Sequence, residues 1–168
     1  MSSVAATGQF NALCSRDLYS GFRACIPVME HNTENTTSAI KRFKGTSKIQ
    51  AMYSGGEGEI ANACAELDIT HEVSQPSVWR NNSLAERNNQ DIIHATRALL
   101  IAAGMPSCFW AYAAPCYCFH DNAHHERGER SSYHKALGAE FSGESIPFGA
   151  RIIFKPSPSK KGDLPGKW

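Results

Sequence analysis

No stretch of this chain approaches the roughly 18 consecutive apolar residues that a membrane-crossing helix needs, so a transmembrane protein is not expected. The N-terminus, Met1-Ser2-Ser3-Val4-Ala5-Ala6-Thr7-Gly8-Gln9-Phe10, has neither a basic start nor an apolar core and does not read as a secretory signal peptide. Charge of one sign is also lacking. Seventeen Lys and Arg against 16 Asp and Glu leave a formal net charge of +1, which excludes a protein that attracts nucleic acid through its overall charge. There is no internal repeat, which excludes a repeat array. Six cysteines without a secretion signal point to reduced thiols rather than a disulfide framework, and to an intracellular protein of the cytoplasm or nucleus.

The 168 residues are 42% hydrophobic and 20% charged, as expected of one globular domain with a single sizeable core. Charge is concentrated locally. Lys41, Arg42, Lys44 and Lys48 occupy one short stretch with no acid, and residues 151–168 carry five cations against Asp163. Such patches can contact phosphates, although a solvated face is the commoner explanation.

Residues 10–14 and 22–29 read as two strands joined by a turn at 16–21. Residues 33–43 read as a helix with Ala39, Ile40 and Phe43 on its apolar stripe. A strand over 48–54 runs into the glycine-rich loop Gly55-Gly56-Glu57-Gly58, and a short helix over 60–67 and a short strand over 70–73 follow. The longest predicted helix covers 84–103: Ser83 and Glu86 form a capping box, and Gly104 stands where a left-handed terminator belongs. Another helix begins near Pro106, and Pro115 should kink or break it. The chain beyond Asn122 is polar up to Ile146, 151–154 is a last strand candidate, and the final twelve residues read as an unfolded tail.

The most informative segment is 74–90, centred on Asn82-Ser83-Leu84-Ala85-Glu86-Arg87. A carboxylate at a helix start can hold a metal beside acids at strand ends, and phosphoryl transfer by two divalent ions needs several such carboxylates to converge. The bland reading is that Glu86 only caps its helix.

The segment resembles the Asn-Gly-Val-Ala-Glu-Arg helix start in the integrase core of copia-type LTR retrotransposons. Asp17-Leu18-Tyr19-Ser20-Gly21-Phe22, Tyr53-Ser54-Gly55-Gly56-Glu57-Gly58, Ala103-Gly104-Met105-Pro106 with Phe109-Trp110, and Pro147-Phe148-Gly149 are similar to other segments of that core, in the same order. The resemblance runs from about residue 9 to 155. It implies an α/β, RNase H-like mixed sheet with flanking helices, metal-dependent 3′-end processing and strand transfer of DNA, and Mg2+ or Mn2+ as cofactor. It also implies DNA as partner, with self-association as a further expectation and no membrane.

The departures are as informative as the matches. Glu86 matches the last of the family's three metal-binding carboxylates, whereas Gly55 occupies the position of the second, an Asp. Glu57 is a candidate substitute within the adjoining loop. The first Asp lies on the family's first strand, upstream of the segment that residues 10–29 resemble, and Asp17 matches a turn acid instead. In an RNase H-like sheet that first strand lies between the second and the fourth, so an incomplete sheet is expected. Residues 2–8 are a short, polar candidate for filling it. Metal would then not be bound stably, and Glu86 would be the one surviving metal and catalytic carboxylate.

Residues 1–122 are therefore expected to form a truncated core, 123–155 a C-terminal extension with a short strand, and 156–168 a flexible basic tail. Catalytic inactivity is the leading expectation. The alternative is a non-catalytic nucleic-acid- or protein-binding module using Lys41, Arg42, Lys44 and Lys48 together with Arg80, Asn82 and Arg87, residue types suited to phosphate and base contacts. Cys116, Cys118, His120, His124 and His125 invite a zinc reading, but their spacing is not that of a zinc finger.

Overall fold

The computed structural model describes residues 4–74, 83–124 and 129–153. Its elements are β1 (Asn11–Arg16), β2 (Arg23–Val28), α1 (Thr33–Lys44), β3 (Ala51–Ser54), α2 (Gly58–Glu66), β4 (Thr70–Val73), α3 (Ser83–Ala102), a 3-10 turn (Ser107–Phe109), α4 (Trp110–Ala123) and α5 (Ser132–Leu137).

β1 and β2 form an antiparallel hairpin in which Asn11 faces Val28 and Arg16 faces Arg23. Asp17 builds its turn. The carboxylate accepts from the Ser20 N–H at 2.9 Å and from the Ser20 hydroxyl, while the Asp17 carbonyl accepts from the Gly21 N–H at 2.9 Å. Gly21, at φ +78, supplies the left-handed residue that a side chain would resist. Burial works against the ionised Asp17 carboxylate, yet the hydrogen bonds from the Ser20 side chain and from the Ser20 and Tyr19 N–H groups outweigh it and lower its pKa.

β3 and β4 run parallel, Ala51 beside Thr70 and Ser54 beside Val73. The two pairs are separate two-stranded sheets, and no backbone hydrogen bond joins them among the described residues. They nevertheless share a core. Leu13 of β1 and Met52 of β3 both pack on the cluster of Ile40, Ala63, Cys64 and Ile69 beneath α1 and α2. On the other face of β1, Ala12 and Cys14 pack with Cys25, Ile92, Ala114 and Cys118, contributed by β2, α3 and α4. Alternation along β1 thus sends neighbouring residues to opposite helical layers. An α/β RNase H-like core with an interrupted sheet is the resulting architecture.

α3 buries Asn88, Ile92, Thr96 and Leu100, a four-residue spacing that keeps one face inward. Its end is a Schellman motif: the Gly104 N–H donates to Ile101 O at 3.1 Å and the Met105 N–H to Leu100 O at 2.9 Å, with Gly104 at φ +63. Ser83 opens the described part of α3, and the residues just before it lie outside the described residues.

Two sequence expectations need correction, and one element was not anticipated. Pro115 does not break α4, which continues from Trp110 to Ala123. Burial of Trp110, Ala111, Ala113, Ala114 and Cys118 on both sides of the proline offsets the lost hydrogen bond. Residues 151–153 form no strand, and Phe154 lies outside the described residues together with the tail 156–168. The polar stretch before Ile146 holds α5, opened by Ser131, whose Oγ accepts from the His134 N–H at 3.0 Å, and closed by Gly138 at φ +81.

Of residues 2–8, those described do not complete the sheet. Ala5 and Gly8 close a turn, and Ala6 donates to Cys108 O at 2.7 Å.

Candidate functional site

The sequence directs attention to the end of β3 and the start of α3. Ser54, the last residue of β3, donates its hydroxyl to Gly55 O at 2.8 Å and lies 2.8 Å from His71 Nε2 on β4.

At Gly55 the chain turns back on itself. A Cβ built there would stand 2.8 Å from Glu57 Oε2 and 2.9 Å from Oε1. The Glu57 carboxylate thus fills the space into which a residue-55 side chain would project. Glu59 turns elsewhere, its Oε1 3.2 Å from His31 Nδ1. Glu86 lies exposed in the first turn of α3. Among the described residues no group of three or more His, Cys, Asp or Glu side chains is placed to hold a metal ion. A two-ion centre needs converging carboxylates, and the described residues do not fit one.

Lys41, Arg42 and Lys48 are exposed, and Lys44 is half-buried. Lys41 lines a shallow cleft with Glu34 and Glu66, whose charges offset its own, while Arg42 borders a different cleft beside Ile26 and Met29. Three of the four cations lie in the last turn of α1, where they also complement the helix dipole. Arg87 is exposed on α3, and Arg80 and Asn82 lie outside the described residues.

The zinc reading fails on burial. Cys118 is 3% exposed and packs in the core with Cys25; burial, first of all, pushes its thiol up to about 12. Burial also raises the pKa of Cys116. His120 Nδ1 lies 2.8 Å from Ser145 Oγ, and His125 lies outside the described residues.

Sequence reasoning missed the polar anchor of the hairpin. Asn122 on α4 accepts from the Arg23 N–H at 2.9 Å and donates to the Arg23 carbonyl at 2.7 Å, pairing with β2 as a neighbouring strand would. The buried Arg23 guanidinium reaches Asp121 at 2.9 Å and Asp91 at 3.7 Å, and it stands over the Tyr117 ring at 5.9 Å. The Asp121 contact is an ion pair by distance without hydrogen-bond alignment at Nε. A separation of 99 residues between Arg23 and Asn122 hides this pairing from any local motif.

No family model matches the chain. In sequence it is similar to the retrovirus-related Pol polyprotein from transposon TNT 1-94 of Nicotiana tabacum, 33% identical over 77 residues, which is 43% of this chain and 6% of that much longer protein. In structure it is similar to the catalytic core domain of BIV integrase, with a TM-score of 0.57 and 16% identity over 74% of this chain and 84% of that one. The HTLV-2 integrase catalytic core in a dimeric complex with magnesium gives a TM-score of 0.55 and 13% identity over 76% and 84% of the two chains. A chain of a simian T-cell lymphotropic virus intasome in complex with PP2A regulatory subunit B56 gamma gives 0.59 and 12% identity over 93% and 62%. The chain thus has the RNase H-like fold of a retroviral-type integrase catalytic core, carried in a sequence similar to a retrotransposon Pol polyprotein.

Proposed function

We propose that the chain is an integrase core of copia-type retrotransposon origin that keeps the fold and has lost the metal-dependent chemistry. The observation that carries this reading is the end of β3, where Gly55 has no ligand atom and the Glu57 carboxylate takes up the space beside it. Glu86 stands exposed at the start of α3 and acts as a helix-end residue, favoured there by the dipole. The HTLV-2 core binds magnesium in its solved complex, and such an ion calls for ligand carboxylates that the described residues of this chain do not bring together. The core would account for residues 1–122 and its extension for 123–155, with 156–168 a basic tail.

The test is strand transfer by the purified chain on a DNA duplex with Mg2+ or Mn2+. No product is expected. Metal-dependent product that disappears in Glu86→Ala would overturn the reading.

A second reading is a non-catalytic nucleic-acid-binding module. The exposure of Lys41, Arg42, Lys48 and Arg87 favours it, as does the intasome origin of one structural relative. Binding to DNA that weakens steeply with salt and ignores divalent metal would support it. The dimeric form of the HTLV-2 core supports self-association as a property to measure alongside.

A further inference from the structure

We infer that Cys14 and Cys25 are a reversible dithiol–disulfide pair, closed across the β1–β2 hairpin by a hydroperoxide oxidant. The two residues face each other in the antiparallel register. Facing pairs in such a ladder alternate between those that exchange backbone hydrogen bonds and those that do not. Three observations fix the phase. At the turn, the Asp17 N–H donates to Phe22 O at 2.8 Å. One step along, Arg23 turns both its N–H and its carbonyl away from β1, to Asn122. Pro27, which faces Ala12, has no N–H to donate. Arg16–Arg23, Cys14–Cys25 and Ala12–Pro27 are therefore the pairs without ladder hydrogen bonds. Their Cα atoms stand about 4.5 Å apart, with the side chains close together on one face. A disulfide spans about 4.4–6.8 Å between Cα atoms, so the backbone already holds this pair at bonding distance.

The surroundings divide the roles of the two sulfurs. Cys14 is half-buried and Cys25 is buried, and both pack with Ile92, Ala114 and Cys118 between β1, β2, α3 and α4. The Cys25 thiol donates to the Cys14 sulfur. That bond lowers the pKa of Cys14 against the opposing effect of burial, and it raises the pKa of Cys25. Since the thiolate is the attacking form, the more accessible sulfur is also the more reactive one. Cys118 is the competing third thiol. Its sulfur accepts from the Cys25 N–H, but burial above all holds it protonated, and it lies on α4 rather than across a strand pair.

Closure takes two steps. The Cys14 thiolate attacks a peroxide oxygen: an S–O bond forms, the O–O bond breaks, and hydroxide or alkoxide leaves. The Cys25 sulfur then attacks the Cys14 sulfenic sulfur. The S–S bond forms, the S–O bond breaks, and hydroxide leaves as water with the Cys25 proton. The two thiols give up two electrons, and the peroxide takes them. A dithiol reverses the change by thiol–disulfide exchange.

Peptide mapping by mass spectrometry tests the pair in the full chain, treated with hydrogen peroxide under native conditions and then alkylated. The expected product is an intramolecular Cys14–Cys25 peptide, lighter by two hydrogens than the reduced pair, present also in Cys118→Ala and lost with dithiothreitol. In Cys25→Ser the Cys14 sulfenic acid has no partner, and dimedone should trap it. The natural chain decides the matter even where that variant does not fold. Linkage of either residue to Cys118, linkage between two chains, or oxidation of Cys14 with no linkage at all would overturn the proposal. Dimedone labelling of other cysteines but not of Cys14 in a folded Cys25→Ser chain would also overturn it.

Discussion

The carboxylate of Glu57 lies where the side chain of residue 55 would begin, a Cβ at Gly55 falling 2.8 Å from Glu57 Oε2. Because the obstructing atoms end an exposed, flexible side chain, Gly55→Asp should be accommodated by rotation of Glu57. Two neighbouring carboxylates then repel modestly in water. We expect Gly55→Asp to fold, to change stability by no more than about 1 kcal/mol, and to remain inactive in strand transfer. Denaturant unfolding and the strand-transfer assay check the two halves, and recovered activity in this single variant would mean that another carboxylate completes the site.

Much of this architecture was legible locally. The hairpin, α1, the existence of β3 and β4 and the Gly104 terminator follow from alternation, helical spacing and the special conformations of glycine, whereas the parallel pairing of β3 with β4 was seen only in the structure. Elements set by tertiary contact were not legible. Pro115 reads as a helix breaker in isolation, but residues on both sides of it are held in the core. α5 is short and polar, so its Ser131 cap and Gly138 terminator were the only signals available. At the site, the absence of a carboxylate at Gly55 was readable, whereas the return of Glu57 over it depends on the path of the loop.

Asn122 substitutes for a strand at the Arg23 backbone, making two buried hydrogen bonds. Asn122→Ala leaves both backbone groups unpaired, and a buried orphan costs about 1–3 kcal/mol. A loss of about 2–4 kcal/mol is expected on that basis, measured by urea unfolding. A loss below about 0.5 kcal/mol would show that water replaces the side chain.

Gly104 holds φ +63 at the end of α3. No atom lies within 4 Å of a Cβ built there, so the cost of Gly104→Ala is conformational alone, about 1–2 kcal/mol. Thermal unfolding of the variant measures it, and an unchanged midpoint would contradict the motif.

Asp17 carries a pH signature. Its folded-state pKa is lowered, so its contribution is fully present above the ordinary carboxylate value of about 4. That contribution is lost as pH falls through the lowered folded value. The stability difference between the natural chain and Asp17→Asn should therefore shrink on acidification. A difference that grows toward low pH would reverse the assignment.

The claim that the fold persists without its metal centre is tested most directly by Mn2+ titration, followed by the electron paramagnetic resonance of free ion, on the chain and on Glu57→Ala and Glu86→Ala. The account predicts binding no tighter than about millimolar, the weak end for carboxylate sites, and equal in all three proteins. Submillimolar binding abolished by either substitution would contradict it.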